Sequence, residues 1–332
     1  MALCDELETA QTKREKRRDR LVAATLHGLN NGEADAESGS RMSFAESARF
    51  YFKHLPRLTT RPEHIKQLRQ TILNLAVRGK LVPQDPNDEP AAVLLKKIAS
   101  QRKMLLESGL PNDAEAKTQL RKQELQEIPH NVNVLPNGWQ WATLMQCAYL
   151  VIDCHNKTAL YAKSGVPLLR TTNIRNGKLL LDQLCFVSEA TFARWSARCA
   201  PAPGDILITR EAPMGEVAQI PEGLRICMGQ RMMLIRLIPE TINPNYLFYS
   251  LRDPLLMDRV QDKPVGATVK HLRVGGVETL LVPLPPIAEQ QRIVARVDEL
   301  MALCDKLEAN RVSTAFNQRQ FLEATLSDAL SA

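Results

Sequence analysis

The octapeptide MALCDKLE at residues 301–308 nearly repeats the first eight residues, MALCDELE, and this internal repeat restricts the chain more than any other feature. At an offset of 300 the similarity continues, with Ala24, Thr25 and Leu26 recurring as Ala324, Thr325 and Leu326 without a gap. The second copy extends upstream as IAEQQRIVARVDELMALCDKLEANRV, where Ile293, Val297, Leu300, Cys304 and Leu307 alternate at spacings of four and three. That spacing aligns all five on one stripe of a helix, the pattern of a paired-helix spacer or a dimer or partner seam, with one face of a globular core as the ordinary alternative. One helical unit brackets the chain. Its first copy starts in the middle of the pattern, so the chain is expected to correspond to half of a longer, two-fold repeated protein.

Between the two copies the texture changes twice. Residues 1–30 read as helix closed by Gly28, Asn30, Asn31 and Gly32, and residues 31–60 read as a linker that opens on NNGEADAESGS. Residues 61–130 read as a helical connecting region. In it the apolar stripe Ile65, Leu68, Ile72, Leu73, Leu75, Ala76 stops at Gly79, and a second helix is expected from about Ala91 to Ser108. From 131 to 286 come short β-rich runs broken by Gly, Pro and Asn: VPLLRTTNI, LLLDQLCFV, DILITR, EVAQI, RMMLIRLI and TLLVPLP. Helical candidates lie among them at 188–195 and 244–260, but without the regular spacing of βαβ units. The fold class expected is α+β (mixed α/β): one β-rich domain flanked by long helices that form a coiled-coil-like spacer, the second over 287–332.

Catalytic handles are scarce. Neither a G-x-x-x-x-G-K-[ST] loop nor G-x-G-x-x-G occurs, which removes the usual signatures of nucleotide hydrolysis and dinucleotide chemistry. NPNY at 243–246 lacks the second proline of the Asn-Pro-Pro-Tyr of amino-methyltransferases, and the acids of PNDAEAK point to different helix faces. His54, His64, His130, His155 and His271 stand alone, and the seven cysteines include no C-x-x-C pair, so neither a zinc site nor a disulfide framework is indicated. The chain is not expected to be an enzyme. A net charge of +6 permits nucleic-acid binding. Six of the ten residues in QTKREKRRDR are basic, which a solvated helix face explains equally well. Without an apolar run of membrane-spanning length or a signal-peptide core, a cytoplasmic location away from membranes is expected.

The β-rich domain does offer polar residues where strands end. One apolar run delivers Arg170, Thr171, Thr172 and Asn173, followed by Arg175 and Lys178 around a glycine turn. A second cluster carries Arg210 and Glu211, a third Gln230 and Arg231, a fourth Thr268, Lys270 and His271. Arginine reads guanine edges, asparagine adenine edges, and lysine holds phosphates, so the four loops are candidates for contacts with double-stranded DNA. Spacing alone does not bring them together.

LPNGWQWATL, GVPLLRTTNIRNGK, PGDILITREAPMGEVA, GQRMMLIR and GATVKHLRVGGVETLLVPLPPIAEQQRIVARVDELMALCDKLE occur in this order. Together they resemble the target recognition domain and following helix of type I restriction-modification specificity subunits. IKQLRQTILNLAVRGKLVPQDPNDEPA is similar to the segment preceding such a domain in one branch of that family. The resemblance implies a non-catalytic subunit that reads half of a split DNA site and docks a methyltransferase subunit, and through it a restriction and motor subunit. S-adenosylmethionine, ATP and magnesium would belong to those partners, with no cofactor in this chain. The family's usual member has two recognition domains where this chain has one, so a homodimer or pairing with another half-subunit is expected. A truncated regulatory half-subunit that binds partners without reading DNA is the alternative. If residues 287–310 form one helix, it is about 36 Å long. That approximates one DNA turn, the separation a split site needs.

Overall fold

Four amphipathic stripes build the first of two units. The computed structural model describes residues 2–31, 44–155, 157–261 and 271–331. It divides into a unit of Met1–Leu75 with Ala295–Ala332 and a unit of Ala76–Val294. The first holds α1 (Ala2–Asn31), α2 (Phe44–Leu58), most of α3 (Pro62–Val77) and the later part of the long helix α10 (Ile287–Ser331). Val22, Leu26 and Leu29 of α1, Tyr51, Leu55 and Leu58 of α2, and Ile65, Leu68 and Ile72 of α3 are buried at three- and four-residue spacings. Asp19 lies 3.0 Å from His64 and Asn30 lies 3.4 Å from Thr71, so α1 and α3 run in the same direction and α2 returns between them.

Two expectations need correction here. The linker is shorter than residues 31–60, because the stripe Tyr51, Leu55, Leu58 makes 44–58 a helix with a face to bury; residues 32–43 lie outside the described set. The proposed partner seam is filled from within the chain. Val297, Leu300 and Cys304 are buried in the helical unit and Leu307 is half-buried, while Ile293 is buried in the other unit. Arg69 of α3 bridges Asp305 and Glu308 of α10 at 2.5 and 2.9 Å. Burial pushes the Cys304 thiol up to about 11 and raises the Tyr51 phenol, with Cys304 adding to the latter shift.

The second unit starts with α4 (Ala91–Glu107) and α5 (Asp113–Glu124). Strands β1 (Gln140–Thr143) and β11 (Leu281–Leu284) then pair antiparallel, so the two ends of the β-rich region close on each other. The four-stranded sheet has the order β2 (Leu150–Asp153), β10 (Met232–Arg236), β7 (Ile206–Thr209), β8 (Val217–Gln219), all neighbours antiparallel. A smaller sheet places β3 (Val166–Leu169) between β6 (Cys185–Val187) and β9 (Cys227–Met228), with β3 and β9 parallel. Leu169, Ile174, Leu207, Ala218, Ile226 and Leu234 share the core between them. Short helices α6 (Leu144–Cys147), α7 (Glu189–Trp195) and α9 (Val274–Glu278) lie between the strands, and the helix expected over 244–260 stops early: α8 (Pro244–Leu251) ends before Pro254, because the residue preceding a proline is pushed out of the helical region.

Arg198 ties α5 to the sheet. Its guanidinium meets Glu115 at 2.7 and 3.1 Å and also pairs with Asp153 at the end of β2. Burial works against the Glu115 carboxylate, but hydrogen bonds from Arg198 and Gln119 outweigh it and hold its pKa below the ordinary value.

Candidate nucleic-acid interface

Strand register decides which loops meet. In the larger sheet Asp153 and Thr209, the last residues of β2 and β7, pair with Met233 and Met232 at the start of β10. In the smaller sheet Leu169 pairs with Met228, so β3 and β9 finish side by side. Only Gly229, Gln230 and Arg231 separate β9 from β10. The segments after β2, β3, β7 and β9 therefore emerge at one end of the domain.

Backbone bonds knit that end together. Gly229 N–H donates to the Leu169 carbonyl at 2.8 Å, Arg210 N–H to the Arg231 carbonyl at 2.7 Å, and Leu272 N–H to the Arg210 carbonyl at 2.9 Å. Arg231 N–H donates to the Cys154 sulfur at 3.0 Å. A Cβ on Gly229 would stand 2.4 Å from the Leu169 oxygen, so glycine is required for this close approach. The next arginine is held at φ 64, a conformation that costs free energy for a side-chain-bearing residue and recurs at functional sites. Its side chain is 50% exposed and its guanidinium faces the Glu211 carboxylate through two nitrogens, each 3.2 Å from an oxygen. Glu211 thus fixes the plane of the Arg231 fork without burying it.

The remaining candidates sort by what their side chains already do. Asn173 is buried: its Oδ1 accepts from Arg170 N–H at 3.0 Å, and its Nδ2 donates to the Leu180 and Gln183 carbonyls at 3.1 and 3.3 Å. It is a turn builder, which corrects its assignment as a base contact. Arg210 is also buried and donates to the Leu272 carbonyl at 3.3 Å, so it anchors the incoming segment instead of reading a groove. Arg175 folds back onto the Thr171 and Ile174 carbonyls. Arg170 and Thr171 are half-buried at the rim, and Thr172 and Lys178 are exposed. Lys178 follows the turn of the hairpin β4 (Ile174–Arg175) and β5 (Lys178–Leu179), where Asn176 and Gly177 take φ 53 and 80, as a two-residue Asn-Gly turn demands. Glu216 accepts from Asn176 N–H at 2.7 Å, docking the hairpin beside β8. Gln230 and the half-buried His271 sit at the cluster, whereas Thr268 and Lys270 lie outside the described residues.

Sequence reasoning missed the segment after β2. The Thr158 hydroxyl donates to the side-chain Oε1 of Gln230 at 3.4 Å, and beyond it Leu160 and Tyr161 are 80% and 57% exposed, flanked by exposed Lys157 and Lys163. An apolar pair between lysines was the available signal. Burial raises the thiols of Cys147, Cys199 and Cys227 to about 12, 11 and 11, which keeps them protonated and unreactive. Among the described residues no three His, Cys, Asp or Glu side chains gather as metal ligands, and no helix is long and apolar enough to cross a membrane.

Residues 153–314 match the family model described as the type I restriction modification DNA specificity domain. The EcoAI specificity subunit of Escherichia coli is 29% identical over 99% of this chain and 54% of its own length. The EcoEI specificity subunit, also of Escherichia coli, is 32% identical over 81% of this chain and 45% of its own length. A solved chain from work on complex assembly and conformational transition of the type I R-M system aligns with a TM-score of 0.45 at 21% identity, over 70% of this chain and 54% of that one. The chain spans about half the length of the curated relatives it matches. The match takes in every strand from β3 to β11, so this part of the chain carries the type I restriction modification DNA specificity domain.

Proposed function

We propose that this chain reads one half of a split DNA site through the end of the domain where β2, β3, β7 and β9 finish. It would dock a methyltransferase subunit, and through it a restriction and motor subunit, by way of its helices. The observation that carries the reading is the Glu211–Arg231 pair: a half-exposed guanidinium with a fixed plane, on a strained backbone, where four segments converge. A planar fork of this kind matches the O6 and N7 edge of guanine in the major groove. Arg170, Thr171, Thr172, Lys178, Gln230 and His271 surround it as further base or phosphate contacts. Methyl transfer and cleavage, with S-adenosylmethionine, ATP and magnesium, belong in this reading to the partner subunits. A second copy of the chain or another half-subunit supplies the other half-site.

Methylation profiling of cells with and without the chain first identifies the site. Binding of that duplex and of a random duplex is then compared for wild type and Arg231→Ala. Loss of about 1–3 kcal/mol on the specific duplex, with the random duplex nearly unchanged, is expected for a base-reading arginine. Equal loss on both duplexes would reduce Arg231 to a phosphate contact. Absence of site-specific binding by the wild-type complex would favour a regulatory half-subunit.

A further inference from the structure

The basic run on α1 is sorted by the fold into two faces. Val22, Thr25, Leu26 and Leu29 define the buried side of this helix, and Glu15, Arg18 and Asp19 lie partly buried on the same side. Asp19 accepts from Arg61 at 2.6 Å and contacts His64, and Arg18 donates to Thr60 at 2.9 Å. Glu15 lies close enough to Arg61 to raise that guanidinium's pKa behind the larger effect of Asp19. Asp19 is thus turned inward onto Arg61 and His64, and Glu15 lies on the same side of the helix.

Lys13, Lys16, Arg17 and Arg20 are all exposed. At 100° per residue they fall within one arc opposite the buried side, and no acid between residues 9 and 24 shares that arc. None of the four forms an ion pair among the described residues. An ordinary solvated helix face interleaves both signs at i,i+4, which stabilises the helix; four like charges at these spacings repel one another instead. From Lys13 to Arg20 the rise is about 10 Å, and the same length of duplex axis carries roughly six phosphate charges.

We propose that the solvent face of α1 is a phosphate-backbone contact, through which the helical unit binds duplex DNA without regard to sequence. This rests on the reading that the chain is a DNA-binding subunit. It adds a second contact, separate from the strand-end cluster, whose role is affinity and not discrimination. The alternative occupant of a cationic stripe, an acidic protein surface, is separated from it by the test.

The probe is a random-sequence duplex long enough to span the full chain, titrated between about 50 and 200 mM salt. Two variants carry the same change in net charge: Lys13→Gln/Lys16→Gln/Arg17→Gln/Arg20→Gln, and a control, Lys66→Gln/Lys96→Gln/Lys117→Gln/Arg121→Gln, at exposed positions elsewhere. Glutamine keeps helix propensity, and circular dichroism verifies both folds. The slope of log K against log salt is expected to become shallower by about 0.9 for each lost phosphate contact, roughly 3 to 4 in all for the stripe variant, and by less than about 1 for the control. Unchanged slope in the stripe variant, or equal flattening in both, overturns the proposal. So does an unchanged slope accompanied by release from the methyltransferase, which would assign the face to a protein partner. Failure of the sequence-reading proposal is distinguishable, because it is measured by the ratio of specific to random affinity and not by this slope.

Discussion

Replacing Asn173 by alanine removes three hydrogen bonds from one buried side chain and leaves one backbone donor and two backbone acceptors to find other partners. Each such bond contributes about 0.5–1.5 kcal/mol net, so about 3 kcal/mol is expected for the three together. For a unit of this size that corresponds to a fall in Tm of roughly 6–12 °C. The same bonds set the path of the chain from Arg170 to the Asn-Gly hairpin, so discrimination between duplexes should fall with stability. Thermal unfolding followed by tryptophan fluorescence, paired with mobility shifts on specific and random duplexes, measures both. Asn173→Asp sharpens the test: it retains an acceptor for Arg170 N–H but sets carboxylate oxygens against the Leu180 and Gln183 carbonyls. It should be at least as unstable at neutral pH and recover in acid, where the protonated carboxyl regains one donor. A variant that melts with the wild type yet loses preference at one base pair would refute the structural assignment and return Asn173 to the DNA interface.

Gly229→Ala places a methyl group 2.4 Å from the Leu169 oxygen, and because that neighbour is backbone the β9–β10 turn must move. Overpacking of this kind costs about 1–3 kcal/mol, and specific DNA affinity should fall as in Arg231→Ala although glycine has no side chain to touch DNA; unchanged footprints would contradict the convergence. Glu115 supplies a pH dependence. Its folded pKa is depressed, so its contribution is present above the ordinary carboxylate value and is lost as pH falls below it. In urea midpoints from neutral to acid pH, Glu115→Gln should be less stable at neutrality by about 1–3 kcal/mol, allowing for the 40% exposure of Arg198. Its curve should converge with wild type in acid, and parallel curves would exclude this role.

Elements governed by near neighbours were legible from residue spacing. The spacing of Ile65, Leu68 and Ile72, or of Val297, Leu300 and Cys304, is a property of residues three and four apart, and it became helix as expected. The runs DILITR and RMMLIRLI became central strands, and Asn176-Gly177 became a hairpin turn, because each of these depends on a few consecutive residues. The ordered conjunction of motifs also pointed to the domain family that residues 153–314 match. What each polar residue does emerges only once the chain is folded. Arg170, Asn173, Arg210 and Arg231 look alike as strand-end polar residues. Burial assigns Asn173 and Arg210 to the scaffold, and it leaves the Arg231 fork exposed beside Glu211, twenty residues away. The closing pair β1–β11, the Arg198–Glu115 tie and the inward turn of Asp19 likewise join segments far apart in the chain. Local periodicity states which face of an element is apolar; which other element covers that face depends on register and packing summed over the whole chain, and no short stretch of residues encodes it.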